Sequence, residues 1–172
     1  ALVVCIGDLA DMSSLCYYDK GQVVAEGRRL EHDLMVANDA LARIHAPIDR
    51  YNAIRAEKKL KKYKPRMVVT MGNHEYRIIR HAQTDPAMHG HFTYDMLDFK
   101  KLGWEVYPYM DVFEYRKIAF SHSMTSGIMG KPIGGVHHAY NLVTKGNCSC
   151  VVGHSHLLDF SATINKFGER LV

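Results

Sequence analysis

The stretch Arg66-Met67-Val68-Val69-Thr70-Met71-Gly72-Asn73-His74-Glu75 decides how this chain is read. Met67 to Met71 is a short apolar, β-branched run, the composition of a buried strand. Gly72 stops it, and Asn73, His74 and Glu75 follow at once. In α/β folds, ligands gather at the carboxyl ends of parallel strands. A strand that stops here is either aimed at a site or merely entering a polar turn.

Three other runs end in the same manner. Leu2-Val3-Val4-Cys5-Ile6 meets Gly7-Asp8, Ile118-Ala119-Phe120 meets Ser121-His122-Ser123, and Cys150-Val151-Val152 meets Gly153-His154-Ser155-His156. Asp, Asn and His are the side chains that hold borderline divalent metals through N and O atoms. The repetition points to one shared metal centre rather than to separate turns.

Working outward, a long helix is expected from Ala25 to Ala46. Its apolar positions Leu30, Leu34, Ala37, Leu41 and Ile44 fall on one face. Pro47 should end it. A second helix from Ile48 to Lys62 then leads to the Met67 strand, which makes strand, crossover, strand: the βαβ unit of a parallel sheet. Further helices are expected at Glu75 to His81, at Tyr94 to Leu102 behind a Thr93 cap, and at Val136 to Lys145. Trp104 to Tyr109 and Val112 to Tyr115 read as strands. Arg116-Lys117 is a tight turn into Ile118, and Asn165 to Gly168 turns a closing hairpin.

With 172 residues, 47% apolar and 23% charged, the chain can build one domain with a real core. No run of 18 apolar residues occurs, so no membrane span is expected. A net charge of +4 favours anionic partners only weakly. The basic run Lys58-Lys59-Leu60-Lys61-Lys62-Tyr63-Lys64 reads first as a solvated helix end, and second as a nucleic-acid contact. Cys5, Cys16, Cys148 and Cys150 form no CxxC, which suits free thiols in a reducing, cytoplasmic setting. The chain enters a strand directly at Ala1 and stops in one at Val172, so a segment is expected to be missing at each end.

Taken together, Asp8, Asn73, His122, His154 and His156 make a ligand set for Mn, Fe or Zn. His154 and His156 would share a face on an extended segment. Asp8 could bridge two ions, the clamp that serves in-line displacement at phosphorus with a water activated to hydroxide. His74 could serve as general acid. Glu75 could orient that imidazole. Asp11, Arg77, Arg28, Arg29 and Lys20 are candidates for second-layer or phosphate contacts.

These motifs, Gly7-Asp8, Gly72-Asn73-His74-Glu75, His122 and Gly153-His154-Ser155-His156, resemble those of the calcineurin-like metallophosphoesterases, in order and across nearly the whole chain. The loop from Gly7 to Leu15, with Tyr18 to Gly21 and Glu26 to Arg29, is similar to a phage and prophage subgroup. The resemblance implies a four-layer α/β/β/α sandwich of two mixed sheets flanked by helices. It implies a dinuclear site in which Asp8 bridges, Asn73, His122 and His154 complete one ion, and His156 binds the other. His74 would be the catalytic histidine.

One departure matters. The family's first motif, Asp-x-His, is absent from this sequence. The first βα unit is therefore expected to be missing. Two divalent ions would belong to the complete protein, and one or none to this chain. The expected activity is phosphomonoester hydrolysis, on phosphoprotein or small molecules. A phosphodiesterase or nuclease with the same metals is the rival enzyme, and a non-catalytic scaffold is the rival of another class.

Overall fold

A computed structural model describes residues 1–172. The chain opens with β1 (Leu2–Cys5), runs through short 3-10 turns to α1 (Leu30–Glu57), and returns to β2 (Arg66–Thr70). β1 and β2 are parallel, with Cys5 opposite Val69. After β2 come α2 (Tyr76–Thr84) and β3 (Glu105–Tyr107), which lies parallel on the other edge of β2. This first sheet, ordered β1-β2-β3, is wholly parallel, not mixed as expected.

β2 is central, and its burial says so. Met67, Val69 and Met71 join the core cluster with Leu41, Ile78, Leu97, Phe99 and Trp104. Val68 and Thr70, on the opposite face, are fully buried too. A strand covered on both faces needs the continuous apolar run seen in the sequence. Each such side chain contributes about 1.5–3 kcal/mol through burial.

The second sheet holds β4 (Phe113–Tyr115), β5 (Ile118–Ser121) and β8 (Ser149–Val152) in the order β4-β5-β8. β4 and β5 are antiparallel, and Arg116 and Lys117 turn between them with φ of 51° and 64°. Positive φ at both central residues suits the twist of a two-residue hairpin. Between β5 and β8 the chain makes a small hairpin, β6 (Thr125–Ser126) with β7 (Lys131–Pro132), and then α3 (His138–Gly146). α3 carries the crossover that makes β5 and β8 parallel. β9 (Thr163–Ile164) and β10 (Arg170–Leu171) form the expected closing hairpin. The whole is a mixed α/β fold of three helices and four small sheets.

Two helix expectations are corrected. Pro47 lies inside α1 and does not end it. Proline removes one backbone bond and costs about 3 kcal/mol in a helix interior. Here the packed stripe of Leu30, Leu34, Ala37 and Leu41 resumes at Ile48, the residue next to the proline and two turns past Leu41, and offsets that cost. Ile44 is exposed instead. The helix stops at Glu57, and Asn52 then ties the basic run back by bonding both backbone groups of Tyr63. The second correction concerns Tyr94 to Leu102, where only a 3-10 turn forms at Tyr94–Met96. Asn38 of α1 donates to the Met96 carbonyl and accepts from the Asp98 N–H. It takes backbone groups that a longer helix would need. Leu97 and Phe99, two apart, are both buried, a spacing no helix face provides.

No helix is long and apolar enough to cross a membrane.

Candidate metal centre

The four polar strand ends meet where the two sheets adjoin. Two glycines permit it. Gly7 has φ of +83°, and a Cβ there would lie 2.5 Å from Gly72 N and 2.8 Å from His122 Nδ1. Gly72 packs equally tightly on Asp8. Only residues without side chains let these backbones come so close.

Glu75 locks that approach. It is fully buried, and its carboxylate accepts N–H bonds from Asp8 (2.9 Å), Ala10 (2.9 Å) and Gly72 (2.8 Å). The expectation that Glu75 orients His74 is therefore corrected. Its oxygens are taken by backbone N–H groups, and it staples the loop after β1 to the loop after β2.

Asp8 sits in the left-handed region, φ 56°, which turns its side chain inward. Its Oδ1 accepts the His74 N–H at 3.1 Å. Its Oδ2 is left 3.3 Å from His122 Nε2. His122 is buried, and its Nδ1 donates to the Ile6 carbonyl at 2.8 Å. A carbonyl only accepts, so neutral His122 must present a lone pair at Nε2. Asn73 Oδ1 lies 3.0 Å from that nitrogen and 2.8 Å from His154 Nδ1, with the two ring nitrogens 3.2 Å apart.

Asp8 Oδ2, Asn73 Oδ1 and His122 Nε2 are thus all acceptors, and His154 can bring at most one proton. With both imidazoles neutral, this group holds more acceptors than donors, a balance that one cation among the four atoms would satisfy. The ligand atoms of Asp8, His122 and His154 lie within 4.8 Å of one another. Partial desolvation of the His154 ring, with His122 beside it, holds its pKa below the usual imidazole range. It stays neutral, as a ligand must.

His156 is placed differently from the expectation. β8 ends at Val152, and His154 and His156 have φ of 65° and 55°. The segment is coiled, so the shared-face argument for an extended chain does not apply. His156 lines the same cleft of about 280 Å³ but stands outside the tight cluster. The donors therefore fit one ion. For a second, only Asp8 and His156 are at hand.

His74 stands at the rim, its Nε2 4.0 Å from Asp8 Oδ2. Its Nδ1 pairs with Asp11 Oδ1 at 2.7 Å. Arg77 Nη1 donates to the Asp11 carbonyl at 2.7 Å and lies 3.4 Å from its carboxylate. Asp11, not Glu75, is the carboxylate that orients His74. Arg28 is engaged by Asp19 and the Ser13 carbonyl, and Arg29 bonds the Arg28 carbonyl, so neither is joined to the cluster. Tyr109 was missed from sequence. Its ring lies 6.1 Å from that of His122, and burial, with Asp8 nearby, raises its pKa. No spacing rule links a tyrosine beyond β3 to a histidine after β5.

No protein-family model, curated protein or solved structure matches this chain. The chemistry of its own side chains carries the functional reading.

Proposed function

We propose that this chain is a metal-dependent phosphoesterase of the calcineurin-like kind, acting first on phosphomonoesters. One observation carries the reading: four potential ligand atoms gather beside an imidazole that a carboxylate orients. On this reading the two three-stranded sheets are the inner layers of a four-layer sandwich. α1 covers the Met67, Val69 and Met71 face of the first, and α3 packs on β8 of the second.

Asp8, Asn73, His122 and His154 would hold one divalent ion. When bound, such an ion supplies Lewis acidity toward a phosphoryl oxygen and makes a water a better nucleophile. The protein does the rest. Ile6 fixes the His122 tautomer, so the ligand lone pair is presented without rearrangement. Glu75 keeps Asp8 and Asn73 in register. Asp11 holds His74 by Nδ1, which leaves Nε2 to exchange a proton with the departing oxygen, a role worth roughly 10²–10⁴-fold in rate.

The basic run argues against a nuclease. It immediately precedes the N-terminal end of β2, whereas Asn73 and His74 follow the C-terminal end. Five residues of strand separate the two, roughly 16 Å. The run therefore does not border the cleft.

The test is Mn²⁺-dependent hydrolysis of an aryl phosphate monoester beside the matching diester, with Asp8→Asn as control. Monoester turnover lost in the control supports the reading. Diester preference moves it to phosphodiesters. Metal binding without turnover of either ester leaves a non-catalytic scaffold.

A further inference from the structure

Beyond Arg77 lies an unassigned cavity of about 530 Å³ between the loop from Ser13 to Ala25 and α2. That volume is in the range of small-ligand sites. Its wall carries Lys20, Arg77, Arg80 and His81 against a single carboxylate, Asp85. Asp85 is already used, since its Oδ1 accepts the Ala87 N–H at 3.0 Å. Lys20 and Arg80 make no ion pair, and the Arg80 guanidinium lies 5.0 Å over the Tyr17 ring. An arginine stacked in this way keeps its edge donors free for an anion.

The loop is built to stay in place. Asp33 of α1 accepts from Ser13 Oγ at 3.2 Å and from the Ser14 N–H at 2.8 Å. Ser14 also lines the cavity, and its own hydroxyl, though buried, has no hydrogen-bond partner. A buried hydroxyl left so is costly, and a ligand that drew it round would relieve the cost. Arg77 belongs to this wall and to the His74 relay, so the cavity begins two hydrogen bonds from the reacting imidazole.

We infer that this cavity is an anion subsite for a second phosphate, carried on the leaving alcohol of the substrate. The preferred substrates are then small bisphosphorylated molecules. One phosphate is cleaved beside His74, while Lys20 and Arg80 hold the other. The substrate assignment rests on the phosphoesterase reading, but the subsite itself does not.

Two measurements separate them. First, inorganic phosphate is titrated into the metal-free chain, with chloride as control, and followed by amide NMR. Saturable shifts at Ser14, Lys20, Gly21 and Thr84, weakened roughly tenfold or more by Arg80→Gln, are expected. No saturation below about 10 mM, or shifts elsewhere only, overturns the subsite. Second, kcat/KM with Mn²⁺ is compared for 1,3-phenylene bisphosphate and phenyl phosphate. A ratio of roughly ten or more that Arg80→Gln collapses supports the assignment. A ratio near one, unchanged by the variant, overturns it. If neither ester is hydrolysed, the phosphoesterase reading fails, and the titration alone judges the subsite.

Discussion

Glu75→Gln tests the staple beneath the site. The carboxylate accepts three backbone N–H groups, two of them at Oε2. An amide keeps one acceptor oxygen. Placed at Oε2, it retains the bonds from Asp8 and Gly72 but turns an NH₂ toward the Ala10 N–H. One charge-assisted bond, worth about 1.5–3 kcal/mol, is lost, and a buried donor is left unpaired at about 1–3 kcal/mol. The expected destabilisation is about 3–5 kcal/mol, a large share of the roughly 5–15 kcal/mol a domain possesses. At about 2–4 °C per kcal/mol for a chain of this size, Tm should fall by roughly 6–20 °C. A calorimetric melt of the metal-free protein reads it directly. If Glu75 instead served His74, the variant would lose turnover while melting within about 2 °C of the parent, and the staple argument would be refuted.

Gly7→Ala should abolish the metal centre, because its Cβ would meet Gly72 N at 2.5 Å in a strained φ; retained metal affinity in a calorimetric titration would contradict this. Asp11→Asn should cut kcat by roughly 10–100-fold and alter its pH profile, with metal affinity unchanged; an unaltered profile would show that Asp11 does not position His74. Mn²⁺ or Zn²⁺ should bind one per chain and, at about 100 times Kd, add about 2.7 kcal/mol, raising Tm by roughly 5–11 °C. Asp8→Asn should remove that rise, and two tightly bound ions would contradict the donor count. Burial pushes the Cys150 thiol up from 9.0 to about 11. The stability lent by its neutral form is complete below about 9 and lost as pH rises through about 11. Alkylation of Cys150 should therefore keep accelerating beyond pH 9.0, and a plateau there would contradict the shift.

The strand ends were legible because burial and chemistry leave separate marks: an apolar run, a glycine, then a polar side chain. All four runs form strands, and the side chains of Asp8, Asn73, His122 and His154 lie together at their ends. What failed depends on partners distant in the chain. Pro47 looked like a stop because local rules do not see Ile48 finding the core. Tyr94 to Leu102 looked helical because Asn38 lies nearly sixty residues away. Glu75 was matched to the imidazole in place of Asp11 because only the loop geometry shows which carboxylate reaches the ring and which reaches the backbone. Arg28 was a free cation in the sequence and an engaged one in the fold.

Asn73, His74 and Glu75 are consecutive, yet one faces the ligand cluster, one the rim and one the buried backbone. A single inserted or deleted residue between Thr70 and Tyr76 would misalign all three. Length variation is therefore closed to this segment, and diversification must fall on the loop from Leu9 to Arg29. That loop shares only the Ala10 N–H with the staple, so with Ala10, Asp11 and Met12 kept, the rest of it can be exchanged for a new specificity while the ligand set and the Asp11–His74 pair stay in place.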